Sequence, residues 1–133
     1  MELQRNRNSV FNIGYHVVWC VKYRHPVLQG EVASDLAELL QKIAGEHGFS
    51  IEEMKIMPDH VHLFVRAAPS HFIPDMVKAL KGVSARFLFQ KHPELKKRLW
   101  GGHLWNLSYY VGTVGHISEE TVRKYIESQK IEG

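Results

Sequence analysis

The chain has 133 residues, with 17 lysine or arginine against 14 aspartate or glutamate and a hydrophobic share of 44%. That length and share suit one folded domain over 1–133 and exclude a solvated polyelectrolyte. The formal net charge of +3 suits a polyanionic partner without requiring one, and the single cysteine, Cys20, excludes an internal disulfide and fits a reducing cytoplasm.

Residues 1–9 are polar and basic, with no signal-type apolar run behind them. No apolar stretch approaches membrane-spanning length, so a membrane partner is not expected. Residues 10–23 are rich in β-branched and aromatic types and predict a strand, with Cys20 as a packing residue. Over 31–47, Val32, Leu36, Leu39, Leu40 and Ile43 recur at helical spacing, and Gly48 is placed to stop the helix. Residues 51–57 and 60–66 predict two strands joined by the turn residues Pro58 and Asp59. A second helix pattern runs over 71–91, with Ile73, Val77, Leu80, Val83 and Phe87 as its apolar stripe. A glycine loop at 100–103 precedes a fourth strand over 105–114. Ser118 then caps a terminal helix, about 118–130, with Glu119 and Glu120 favourably placed in its first turn. The first six elements match a split β-α-β arrangement, an antiparallel sheet with helices on one face.

His60 and His62 share one face of their strand, while Val61, Leu63 and Val65 take the other. Their α-carbons are then roughly 6.6 Å apart, close enough for two imidazoles to meet on one divalent ion. Alone, such a pair fits two half-exposed histidines on an open sheet face at least as well. Asp59 is beside the pair and could be a ligand or a group supporting one, but on strand alternation it points away from the histidine face. The terminal helix offers more chemistry. Tyr125 and Gln129 are four residues apart and so lie on one helical face. The Gln129 amide oxygen can ligate a metal, which with two histidines suits Mg²⁺ or Mn²⁺, and Tyr125 can act as a nucleophile if an ion or base assists it. A packing role for Tyr125 beside Val122 and Ile126 fits the same spacing. Tyr109 and Tyr110 are rival nucleophiles, read more simply as packing residues.

On the helix over 71–91, Lys78, Lys81, Gly82, Ala85 and Arg86 lie opposite the apolar stripe. Cations beside small residues let a phosphate backbone approach, and Phe89 on that face is placed to stack on a base. Lys22 and Arg24 end the first strand as a second basic cluster. Lys96, Lys97 and Arg98 form a third.

Taken together, Pro58-Asp59-His60-Val61-His62-Leu63, Val77-Lys78-Ala79-Leu80-Lys81-Gly82, Leu99-Trp100-Gly101-Gly102 and Lys124-Tyr125-Ile126-Glu127-Ser128-Gln129 resemble the single-tyrosine HUH transposases of the TnpA type. These belong to the hairpin-ended insertion-sequence-200/605 family. Trp19-Cys20-Val21-Lys22-Tyr23-Arg24 adds to the likeness, which runs from about residue 13 to Gln129. The resemblance implies an α+β, ferredoxin/RRM-like HUH endonuclease domain with a C-terminal helix carrying the tyrosine. It implies His60, His62 and Gln129 as metal ligands, with Mg²⁺ or Mn²⁺ as cofactor. Tyr125 would attack single-stranded DNA, giving a 5′-phosphotyrosine and a free 3′-OH. The implied partners are single-stranded DNA with hairpin ends and a second copy, in a homodimer with shared active sites. The terminal helix would reach across by the connector over 112–116. No small-molecule substrate is implied.

Three other functions remain open at this point. A domesticated relative would process palindromes and move no element. A nucleic-acid-binding module would use the basic and aromatic surface but neither metal nor Tyr125. A small metal-dependent hydrolase would use water and form no covalent intermediate.

Overall fold

The computed structural model describes residues 4–5, 10–11, 13–68, 70–113 and 119–129. Two short strands, β1 (Gln4–Arg5) and β2 (Val10–Phe11), pair with each other. The main sheet consists of β3 (Gly14–Cys20), β4 (Ser50–Met57), β5 (His60–Arg66) and β6 (Tyr110–Thr113). Its order is β4-β5-β3-β6 and every pairing is antiparallel. That is the split β-α-β sheet expected from the element order.

One sheet face is covered by α1 (Gly30–Glu46) and α2 (Ile73–Lys91). Val17, Trp19 and Val21 of the β3 segment meet Val61, Leu63 and Val65 of β5 there, beneath Leu36, Leu40, Leu80 and Leu88. All are buried, so this is the main core. Strand alternation sends His16, Val18 and Cys20 to the other face, opposite Phe64, His62 and His60 in register. Val18 and Cys20 are nevertheless fully buried, although they stand apart from the main core cluster. Their cover is α4 (Glu119–Ser128), which lies against β3 and buries Val122. The terminal helix therefore packs on the histidine face by a small apolar contact of its own.

Several boundaries differ from the sequence expectation. The first strand ends at Cys20, and a 3-10 turn follows over Lys22–Arg24. The fourth strand is only Tyr110–Thr113. Trp105 is drawn out of the ladder because its indole N–H donates to the Ser84 hydroxyl at 3.0 Å and the Lys81 carbonyl at 3.1 Å. It retains a single bridge to Val21. A four-residue helix, α3 (Leu95–Arg98), lies where only a basic run was read. Gly48, at φ 77°, ends α1 as expected, because a left-handed residue terminates a helix most easily as glycine.

The buried side of α2 is rotated from the expected stripe. Met76, Val77, Leu80, Ser84 and Leu88 are inside, and Phe87 is 38% exposed. Phe89 is buried in the core, so it is not on offer to a base. Ser84 explains the rotation: its hydroxyl is needed inside as the acceptor for Trp105. The proposed Ser118 cap, and the connector from 114 onward, lie outside the described residues.

Candidate active site

The histidine half of the site is built on β5. His60 donates its Nδ1 proton to Asp59 Oδ1 at 2.8 Å, and Arg24 Nε donates to Asp59 Oδ2 at 3.1 Å. Asp59 therefore supports His60, contrary to strand alternation, because it sits in the tight turn before β5. Burial works to raise the Asp59 carboxyl, but the bonds from His60 and Arg24 outweigh it and hold the group below the usual carboxylate range. His62 Nε2 lies 3.1 Å from His16 Nδ1, so one of these nitrogens donates to the other. Burial, and then the neighbouring His16, push His62 below its ordinary value. Neutral imidazole is the form that ligates a metal.

The tyrosine half is built where α4 meets the loop over 106–108. Tyr125 Oη and Ser108 Oγ are 2.9 Å apart, and Ser108 Oγ is 3.0 Å from Gln129 Oε1. Asn106 Nδ2 donates to the same Gln129 oxygen at 2.7 Å. An amide oxygen cannot donate, so one proton arrangement satisfies the set: Tyr125 donates to Ser108, and Ser108 donates to Gln129. Gln129 Oε1 thereby has both lone pairs occupied. Ligating an ion requires it to release Asn106 or Ser108. Burial pushes the Tyr125 phenol up, against the Ser108 bond, so the group is protonated at neutral pH. Its ring packs against Tyr110 at a centroid distance of 5.8 Å.

Lys81 holds this loop in place. Its ammonium donates to the carbonyls of Asn106, Leu107 and Ser108 at 2.6, 3.2 and 3.1 Å. Burial pushes it down to about 8, although three carbonyls favour the charge. The expectation that Lys81 faces DNA thus gives way to an inward role. Arg24 is likewise turned to Asp59. Lys22 lies over the Tyr23 ring at 5.2 Å. Lys78 and Arg86 are exposed on α2. Leu107 is 87% exposed between two clefts of about 270 and 310 Å³ that Lys81 and Gly82 help to line.

The two halves share a sheet face. Val18 of β3 pairs with His62 on one side and Tyr110 on the other, so β3 alone separates them. Strand spacing makes that roughly 10 Å. Among the described residues no group of three His, Cys, Asp or Glu converges to hold a metal. Of the rival tyrosines, Tyr109 packs on the core and under Lys81, and Tyr110 supports the Tyr125 ring. Sequence reasoning missed His16, Asn106 and Ser108. The alternation Asn106-x-Ser108 ahead of a strand was the available signal, but only the register shows what it faces.

Comparison with known proteins gives the decisive observation: residues 9–129 match the family model described as "Transposase IS200 like". The chain belongs to the IS200-like transposases. The ISDra2 transposase TnpA of Deinococcus radiodurans is 51% identical over 129 residues, covering 97% of this chain and 92% of that one. The IS200 transposase of Salmonella typhimurium is 29% identical over 119 residues, covering 90% and 78%. A crystal structure of a transposase candidate from Deinococcus radiodurans R1 superposes on the present transposase with a TM-score of 0.88 at 45% identity, covering 97% and 99% of the two chains. A REP-associated tyrosine transposase bound to a REP hairpin shares the fold, with a TM-score of 0.57 at 12% identity over 93% and 68%. Among the described residues, no helix of the transposase is long and apolar enough to cross a membrane.

Proposed function

We propose that this transposase cleaves and rejoins single-stranded DNA at insertion-sequence ends through a 5′-phosphotyrosine formed on Tyr125. The observation that carries the reading is the hydrogen-bonded set joining Tyr125, Ser108, Gln129 and Asn106 on the histidine face. A packing tyrosine needs no such set.

In the proposed step, Tyr125 Oη bonds to phosphorus and the bond from phosphorus to the 3′ oxygen breaks. The phenol proton is balanced by the proton gained by the departing 3′-OH. The diester count is preserved, so a later 3′-OH can reverse the step and join a different end. Ser108 and the Tyr110 ring fix the phenol's direction, which counts because misplacement of about 1 Å can cost roughly 10²-fold in rate. His60, His62 and Gln129 would hold Mg²⁺ or Mn²⁺. Such an ion supplies Lewis-acid polarisation of the phosphoryl group when bound. Their chemistry suits it: His60 turns Nδ1 rather than Nε2 to Asp59, His62 is lowered towards its neutral form, and a hard ion accepts an amide oxygen once Gln129 releases Asn106 or Ser108.

The partner is read as single-stranded DNA with hairpin ends. The hairpin held by the REP-associated neighbour supports that reading, as do the exposed cations Lys78 and Arg86. A homodimer with shared active sites is proposed on the family resemblance. Within one chain, α4 rests on its own β3.

The test uses labelled single strands from both flanks of the gene, with and without Mn²⁺. A metal-dependent adduct that survives denaturation and is lost in Tyr125→Phe supports the proposal. Cleavage retained by Tyr125→Phe sinks it.

A further inference from the structure

Tyr23 and Arg24 have φ values of 58° and 55°, in the left-handed region that side chains with a Cβ avoid. Among the described residues no other non-glycine residue lies there. Two strained residues in succession persist only where their surroundings hold them, and such strain concentrates at functional sites. The surroundings here are the 58–59 turn. The Val21 amide donates to the Asp59 carbonyl at 2.9 Å, and the Leu28 amide donates to the Pro58 carbonyl at 2.9 Å. The chain from 21 to 28 therefore grips that turn at both ends. Between the two grips, the left-handed kink brings Arg24 Nε to Asp59 Oδ2 at 3.1 Å. The second oxygen of the same carboxylate receives His60 Nδ1 at 2.8 Å.

We propose that Arg24 is a positioning residue for the metal centre: through Asp59 it fixes His60 in the tautomer protonated at Nδ1, leaving Nε2 bare for a divalent cation. The inference rests on His60 being a metal ligand, as proposed above. A carboxylate only accepts, so the imidazole proton facing it must be on Nδ1. Neutral imidazole has one such proton, so Nε2 carries a lone pair. A carboxylate behind a ligating histidine also fixes the orientation of the ring. Arg24, Asp59 and His60 are only 19%, 21% and 18% exposed, so water competes weakly for their bonds. Arg24 removes the remaining freedom. Without it, one carboxylate oxygen has no charged partner and the group can turn away from His60. Among the described residues His62 has no such anchor, since its hydrogen-bond partner is another imidazole, His16. His60 is the ligand whose orientation the fold dictates.

The experiment records ring-nitrogen chemical shifts of the histidines in metal-free protein and, separately, Mn²⁺ affinity. Wild type should show His60 protonated at Nδ1. In Arg24→Met both tautomers should be populated, and Mn²⁺ affinity should fall about tenfold, the low end for loss of a group behind a ligand. Asp59→Asn, whose amide can donate, should switch His60 towards protonation at Nε2. Arg24→Lys should recover part of the affinity. Tyr23→Gly, which relaxes the kink but keeps the guanidinium, should preserve both readouts. An Nε2-protonated His60 in wild type overturns the proposal, as does an unchanged tautomer in Arg24→Met. Wild-type protein with the expected tautomer but no Mn²⁺ binding overturns the metal reading itself, and with it the purpose assigned to Arg24.

Discussion

Replacing Lys81 with methionine should separate stability from catalysis. The native ammonium ties three successive carbonyls at 2.6, 3.2 and 3.1 Å, and the residues bearing them include Asn106 and Ser108, which hold Gln129 and Tyr125. At about 1 kcal/mol per net hydrogen bond, the three ties contribute roughly 3 kcal/mol before opposing terms. Methionine fills much of the same space and removes the cost of burying a charge, which offsets much of that loss. We expect a net destabilisation of about 1 kcal/mol, or a melting temperature lower by roughly 3 °C for a chain of this size. The loop itself loses its anchor, so adduct formation with saturating DNA and Mn²⁺ should slow at least ~10-fold. The pH dependence sharpens the test. The folded Lys81 value is about 8, below the unfolded value near 10.4, so above pH 8 the unfolded chain binds more protons and stability rises with pH through that window. Over the same window the neutral amine keeps two donors for three carbonyls, and the wild-type advantage over Lys81→Met in adduct rate should shrink. A Lys81→Met rate within about twofold of wild type at pH 7 would refute the reasoning, whatever its melting temperature.

Other expectations follow from the same geometry. The Cys20 thiol is buried beneath α4 and pushed up to about 11, chiefly by burial and then by the Asp59 charge, so it should react slowly with a thiol reagent. Val122→Asp should detach α4 from β3 and speed that labelling at least tenfold; unchanged labelling would mean that α4 does not cover this face. Lys78→Ala with Arg86→Ala should weaken DNA binding at low salt and flatten its salt dependence by about two phosphate contacts, leaving the melting temperature unchanged. His62 has its value lowered, so its own ring should take up a proton only below the ordinary histidine value. An NMR titration of His62 that places its protonation at the ordinary histidine value would count against its burial.

Much of the fold was legible because two periodicities carry it. Alternation in His60-Val61-His62-Leu63 announced a sheet with one buried face, and the spacing over 31–47 announced α1. The order of elements then sufficed for the antiparallel sheet. The fourth strand was overdrawn because Trp105 looks like a strand residue locally. Only Ser84, 21 positions away, shows why it leaves the ladder. Phe89 was misplaced for a related reason: a serine on the buried face of α2 is invisible to an apolar periodicity.

The site was legible as residue types and opaque as partnerships. His60, His62, Tyr125 and Gln129 are chemically conspicuous. Nothing in the sequence says that Lys81 turns inward, because a lysine flanked by small residues reads as surface. Asp59 was sent to the wrong side by strand alternation, which does not hold through a tight turn. The Arg24 contact depends on two left-handed residues, a conformation that tyrosine and arginine do not advertise.

The nucleophile is identified most directly by trapping the adduct with single-stranded DNA and Mn²⁺, digesting it, and mapping the modified peptide by mass spectrometry. The expected product is a nucleotide 5′-phosphate on Tyr125, with Tyr109 and Tyr110 unmodified. A phosphonucleotide on either strand tyrosine, or cleavage with no modified peptide, would contradict Tyr125 as the nucleophile.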